Sequence, residues 1–373
     1  MNVFGDFTKP TGLGVAARHT ATALETAGCR VTRRDLEALT QLGPPDLWSG
    51  EGVVNVLHTN PDRLASLCSS RDAPLRWIFA TRRAYVAYWA WEARAGIPDS
   101  WKRFRAYVGE VWVPSQFTAQ AVARHLPCPV VCMPHAVTVS PPDSPRSAFS
   151  ALCKGAVFLT IFDALSGFSR KNPLGLIEAW KLAFPIASGD ATLIIKCAGL
   201  GDSHRSALSS ACGGRSDIAM ISGSLAAHEL HALMHSASAY VSLHRTEGFG
   251  LTMAEAMLYG KPVIATGYSG NLDFMNAKNA YLVDYTLTRL SADDGYYRAG
   301  TEWADPDVQD AARQIRAVFE NPDRARSVGE RARATIAEAL SPAAVGLLMR
   351  ERLDLLAAHN CFSISDRQKI SAT

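Results

Sequence analysis

Two glutamates, Glu247 and Glu255, sit eight positions apart in the run HRTEGFGLTMAEAMLYGKPVIATGYSGN, His244–Asn271. Between them lies Gly248-Phe249-Gly250, and Leu251 opens a helical pattern. A helix N-terminus presents unpaired backbone N–H groups and the positive end of the dipole, which suits a phosphate. Glycines let the backbone approach that phosphate closely. A carboxylate on either side can accept hydroxyl hydrogen bonds, as from a ribose diol. The pattern points to a nucleotide held by Glu255 and the helix N–H groups, with Glu247 near whatever is attached beyond the phosphates. Taken singly, each acid would fit an ordinary solvated or dipole-favoured glutamate.

Further candidates lie upstream. Lys171 is followed by Asn-Pro at a helix start and is expected to bind phosphate. Arg170 beside it reads either as a second cation or as half of a solvated Arg-Lys pair. Lys196 ends LIIK, as a strand-end surface lysine or another donor contact. Ser269 and Gly270 follow the strand-like PVIATG at its carboxyl end. Gly12-x-Gly14-x-x-Ala17 opens a helix, with Asp35 about 20 residues on, a weak dinucleotide fingerprint. The six residues between the first apolar stretch and Gly12 are more than that fingerprint's tight turn needs. YVAYWAWEARAG packs aromatics densely; they read as core, or, at Trp89 and Glu92, as an acceptor platform for sugars. His58 and His135 end strand-like runs, His58 as a hydrogen-bonded loop histidine and His135 with an acceptor role open.

These residues need elements to hold them. The chain has 373 residues, comfortable for two domains. Its composition, 48% hydrophobic and 20% charged, is that of a soluble globular protein. A formal net charge of +3 gives no reason to expect a nucleic-acid partner. Local arginine clusters, Arg82-Arg83 and Trp101–Arg105, read as solvated faces, with an anionic ligand or membrane surface as the alternative. Eight cysteines without paired spacing read as reduced thiols. No signal region or membrane-length apolar run occurs, so the chain is expected in the cytoplasm, with loose contact at the inner face of the membrane left open.

Strand-like runs VVNVLHTN, LRWIFATR, EVWVPS and PVVCMPHAV alternate with helices such as VAARHTATALETAG and SQFTAQAVARHL, capped by Ser115. A proline- and serine-rich run over 138–155 reads as a linker. The α/β rhythm then restarts with AVFLTIFD, NPLGLIEAWKLAF, ATLIIKCAG, DIAMISGS, AAHELHALMHSA and AYVSLH. A Ser-Pro-initiated helix closes the chain from Ser341. The expected organisation is 1–140, a linker at 141–155, 156–340, and a terminal helix and tail at 341–373. Two parallel α/β halves imply a site in a cleft between them.

EGFGLTMAEAM resembles the Glu-x7-Glu signature of the retaining glycosyltransferases of family 4, which have the GT-B fold. FDALSGFSRKNPLGLIEAWKLAF is similar to that family's donor-phosphate loop and helix. WAWEARAGIPDSWKRF, VGEVWVPSQFTAQAV and TEWADPDV resemble members acting in bacterial surface-polysaccharide assembly. The resemblance covers nearly the whole chain and is strongest over 156–275. It implies two Rossmann-like domains facing a central cleft, with a C-terminal helix crossing back to the first. It further implies transfer of a sugar, a hexose, from a nucleoside-diphosphate sugar to a hydroxyl of a saccharide or lipid-linked glycan. Glu247 would lie at the sugar, Glu255 on the ribose and Lys171 on the diphosphate. The Gly14 loop would approach the donor phosphate or acceptor, and the Ser269-Gly270 loop the donor sugar. Where the family often carries a Gly-Arg pair, this chain has Phe162-Asp163, so Arg170 would have to replace that arginine. No Asp-x-Asp stands where it could hold a metal against a diphosphate, since Asp305-Pro306-Asp307 lies in a polar loop away from the motif, and with a cationic clamp neither metal nor other cofactor is expected. Different readings are a nucleotide-sugar epimerase of the same fold, an NAD-dependent oxidoreductase using the Gly12 loop, and a non-catalytic nucleotide-sugar-binding protein.

Overall fold

The structure is a computed structural model that describes residues 1–38, 54–68, 84–102, 104, 108–140 and 155–358. The expected strand LRWIFATR, most of the linker, Arg82, Arg83, Arg103, Arg105 and the tail beyond 358 lie outside the described residues. The chain divides into two compact units. One comprises 1–91, 95–136 and 339–373; the other comprises Glu92–Arg94 and Val137–Glu338.

In the first unit, β1 (Asn2–Gly5), β2 (Thr32–Asp35), β3 (Val54–His58), β4 (Ala84–Tyr88), β5 (Glu110–Val113) and β6 (Val130–Cys132) form a parallel sheet in the order β2-β1-β3-β4-β5-β6. β4 falls inside the aromatic run and β2 is the charged TRRD; neither was expected as a strand. β2 is an edge strand, where polar side chains are tolerated. β4 is central, so its Tyr85 and Tyr88 are buried. Ser115 caps its helix as expected, accepting from the Thr118 N–H.

The C-terminal helix Pro342–Ala358 belongs to this unit and packs along the helix Gly12–Thr26. Its Arg352 forks onto Glu110, a buried strand carboxylate that also accepts from the Trp112 indole. This pairing is what allows an acid inside β5. The two helices meet so closely that a Cβ on Gly346 would lie 2.0 Å from the Ala23 carbonyl oxygen.

The second unit has β7 (Ala156–Asp163), β8 (Ala191–Ala198), β9 (Ile218–Ser222), β10 (Ala239–Ser242), β11 (Val263–Thr266) and β12 (Tyr281–Val283), parallel in the order β12-β11-β10-β7-β8-β9. The strand order reverses between β7 and β10, which are neighbours in the sheet. In such sheets ligands bind at the carboxyl ends of the strands at this switch point. Phe158, Trp180, Leu193 and Ile195 centre the core on one face, with the helix Pro173–Ala183 packed against Val308–Glu320. A two-stranded antiparallel ribbon, β13 (Tyr285–Arg289) with β14 (Glu302–Pro306), was not foreseen. Its first strand is exposed throughout, so it carries no core pattern to read.

Gly346→Ala is expected to cost about 1–3 kcal/mol, because the clash is with backbone and the helices must part. A lowered thermal unfolding midpoint checks this; an unchanged midpoint would contradict the close packing.

Candidate functional site

Both sequence segments singled out for chemistry leave the strands at the switch point. The Glu247 loop follows β10, and the loop and short helix Phe168–Lys171 follow β7. Asn172 ends that helix in the left-handed region at φ 52°, which asparagine tolerates, and its side chain caps the next helix at Gly175. The break fixes Arg170 and Lys171 in the last turn of a four-residue helix.

Arg170 and Lys171 both reach Glu247, although adjacent residues on a helix need not face the same way. The Lys171 ammonium hydrogen-bonds Glu247 Oε1, and Arg170 Nη1 lies 3.2 Å from the same oxygen. Burial alone would push the Glu247 carboxyl up, but the two cations outweigh it and hold the pKa at about 2. Arg170 is only 2% exposed. Its guanidinium also donates to the carbonyls of Ser166 and Thr246, so it is built into the loop. The Lys171 side chain is 18% exposed, which makes it the more available cation. Asp163, standing where the resembled family often has arginine, caps the following turn by accepting from the Leu165 N–H.

Ser269 and Gly270 serve Glu247 through its backbone. Ser269 Oγ accepts from the Glu247 N–H at 2.8 Å, and the Gly270 N–H donates to the Glu247 carbonyl at 2.9 Å. A Cβ on Gly270 would sit 2.2 Å from the Gly248 carbonyl oxygen, so only glycine fits. Ser269 holds φ 82°, ψ −152°, a strained conformation for a residue with a side chain, stored beside the buried acid. Asn271, the third residue of that loop, joins it to His244: its Oδ1 meets His244 Nε2 at 3.1 Å, and its Nδ2 donates to the Thr266 carbonyl.

Gly248, Phe249, Gly250 and Leu251 lead into the helix Leu251–Leu258. Gly250, at φ +95°, makes the left-handed turn, and no side chain caps the helix. Phe249 points inward, 5.0 Å from the Phe274 ring, so only its backbone faces a ligand. Glu255 is 7% exposed, and no hydrogen bond or ion pair to its carboxylate is found among the described residues. Burial pushes its carboxyl up to about 8.

The remaining candidates separate from this group. Lys196 is buried in β8 and donates to the Gly223 carbonyl at 2.8 Å; no bond joins it to Glu247 or Arg170 among the described residues. Glu92 was expected on the acceptor side. Its carboxylate instead faces Arg170 at 3.8 Å and accepts from the Tyr297 hydroxyl at 3.2 Å. Trp89, in the first unit, is 1% exposed with its ring edge-on to Trp101. It has no open face for a sugar, and dense aromatics here are core. His135 is buried and clusters with Tyr88 at 5.1 Å and His58 at 5.7 Å, and His58 itself stacks on Tyr88 at 4.2 Å. Burial first, then the charge of His19, lowers His135 to about 3, so it is a neutral ring in this stack. The N–H of Gly14 is already capped by Thr11, and a Cβ there would lie 2.3 Å from the Lys9 carbonyl oxygen. That glycine is required by its own loop. The loop spans Asp6–Thr11, and the Asp35 carboxylate is taken by Thr8, Glu37 and Ala38. Neither feature suits the dinucleotide fingerprint.

Cys29, Cys128, Cys132, Cys197 and Cys212 are free thiols. Among the described residues no helix is long and apolar enough to cross a membrane.

Residues 166–335 match the family model for glycosyl transferases group 1. No curated protein matches the sequence. Among solved structures, the fold is similar to HepE from Anabaena, crystallised with UDP and glucose, at 15% identity and a TM-score of 0.66 over 95% of this chain and 99% of that one. It is similar to the sucrose-phosphate synthase of Thermosynechococcus elongatus at 14% identity and a TM-score of 0.68, over 96% and 99%. A mutant of TarM from S. aureus, solved with UDP and saccharide ligands, aligns at 14% identity and a TM-score of 0.57, over 83% of this chain and 55% of that one. The fold is therefore GT-B. The family match lies within the second unit.

Glu255 generates a pH dependence. Its folded pKa, about 8, lies above the ordinary carboxyl value. Its protonated form is therefore favoured by folding, and that stabilisation is lost as pH rises from the ordinary range through about 8. Unliganded Glu255→Gln is expected to lose less stability than wild type between pH 5 and pH 9. Parallel thermal midpoints across that range would contradict the burial of an unpaired acid.

Proposed function

We propose that the chain is a retaining, metal-independent hexosyltransferase of family 4. It moves a sugar from a nucleoside-diphosphate sugar to a hydroxyl of a saccharide or lipid-linked glycan in bacterial surface-polysaccharide assembly. The observation that carries the reading is Glu247, buried at the carboxyl end of β10 with Lys171 and Arg170, while the carboxylate of Glu255, one turn into the helix that follows, has no partner among the described residues. A nucleotide laid along this loop supplies what each group lacks.

The ribose diol gives Glu255 two O–H donors, which favour its ionised form. The diphosphate lies at the uncapped helix N-terminus, where Gly248 and Gly250 keep the approach open. Lys171 supplies positive charge where negative charge develops on the departing diphosphate, and Arg170 stays paired with Glu247 when Lys171 changes partner. Released from Lys171, Glu247 takes hydroxyls of the transferred sugar and orients its anomeric carbon. Ser269 and Gly270 fix the Glu247 backbone for that task. With Lys171 and the helix N–H groups at the leaving group, charge stabilisation does not call for a metal ion. The protein works in the cytoplasm, at or near the inner face of the membrane where a lipid-linked acceptor is presented.

A panel of nucleotide-sugars scored for binding and slow hydrolysis tests the reading. One donor is expected to bind and turn over. Lys171→Ala and Glu247→Ala should each lower turnover at least about 100-fold, the scale of losing a transition-state charge contact. Stabilisation by NAD alone would replace this reading with a dinucleotide enzyme. Conversion of the donor to its epimer without acceptor would make the protein an epimerase. Unchanged donor turnover in both variants would remove the site assignment.

A further inference from the structure

Glu247 does not balance its two cations alone. Glu92 Oε1 lies 3.8 Å from Arg170 Nη2, on the side away from the Nη1 that meets Glu247. Two carboxylates and two cations thus form a chain of ion pairs, Lys171–Glu247–Arg170–Glu92, whose formal charges balance. Glu92 is itself held from several directions. Its Oε2 accepts from the Tyr297 hydroxyl, and its main-chain carbonyl accepts from Thr246 Oγ1. Glu92–Arg94 accordingly belongs to the second unit, although residues on both sides of it belong to the first. Tyr297 comes from the loop joining β13 to β14, and its ring also lies 3.7 Å from where a Cβ on Gly167 would be. Burial and the Glu92 charge hold its hydroxyl well above the ordinary tyrosine pKa, so it stays a donor.

We infer that Glu92, fixed by Tyr297, is a positioning residue that takes up part of the Arg170 charge and so limits how tightly the site retains a nucleoside diphosphate. The inference rests on the glycosyltransferase reading above. Arg170 is 2% exposed and cannot be neutralised by solvent. With Glu92 in place, its charge is shared between two acids. An arriving diphosphate therefore has one labile cation to recruit, Lys171, and leaves when that contact breaks. Without the Glu92 charge the same groups carry a net excess of one positive charge. The anionic product should then bind more tightly and leave more slowly. A residue that served packing alone would weaken binding or lower stability when altered, and would not tighten binding.

The test is titration calorimetry of the purified full chain with UDP, GDP and ADP, followed by the tightest of the three on variants. Glu92→Gln is expected to bind that nucleoside diphosphate about three- to tenfold more tightly at low salt, the gain shrinking as salt rises. Tyr297→Phe should shift affinity in the same direction by less, and Glu92→Asp should return it toward wild type. With donor and acceptor present, kcat and KM of Glu92→Gln should fall together. Unchanged or weaker binding in folded Glu92→Gln and Tyr297→Phe overturns the inference while leaving the glycosyltransferase reading intact. Should Glu92→Gln fail to fold, Tyr297→Phe, which removes one oxygen, decides alone. A wild-type chain that binds none of the three overturns the functional reading and this inference with it.

Discussion

The burial of the Glu247 carboxylate constrains everything around it. An unpaired ionised carboxylate is too costly to bury, so its cations must be present and well placed. Lys171 and Arg170 meet it from the β7 side of the sheet, and the strand order brings β7 and β10 together. Parallel strands in this order put both carboxyl ends at one edge, so two segments 76 residues apart in sequence become partners. The strained Ser269 and the glycine at 270 follow from the same constraint, since they hold the Glu247 backbone while its side chain is under strong electrostatic pull.

Glu255 shows the opposite solution. It is buried with no cation beside it among the described residues, and the protein accommodates it by keeping it protonated near neutral pH. One loop and one helix thus hold two acids in different states, Glu247 ionised and Glu255 neutral. Such separation of pKa values within one site is characteristic of groups with different tasks. It matches a ligand that brings charge to one end and hydroxyl donors to the other.

Arg170 illustrates how a local substitution is absorbed. Asp163 became a turn cap, and a cation from the next helix reached the acid. That cation is so enclosed by carbonyls and by Glu92 that it works as part of the scaffold. The exposed share of the positive charge is left to Lys171. The site's electrostatics are therefore uneven, with one fixed cation and one that can change partners.

The sequence by itself determined the two α/β halves, because buried parallel strands are short β-branched runs between amphipathic helices. It also determined the turn that opens the helix Leu251–Leu258, since glycines before a helical pattern mark such an entry. The Ser115 cap was readable because caps are local chemistry. The exposed ribbon β13–β14 and the polar edge strand β2 were not, because neither carries a buried face to pattern. Trp89 and Gly14 could not be told from ligand contacts by type alone; burial against Trp101 and the approach of the Lys9 carbonyl decided them. Only the tertiary structure showed that Glu92 and Tyr297 sit against Arg170, because ion pairing depends on distance in space and nothing in sequence spacing encodes it.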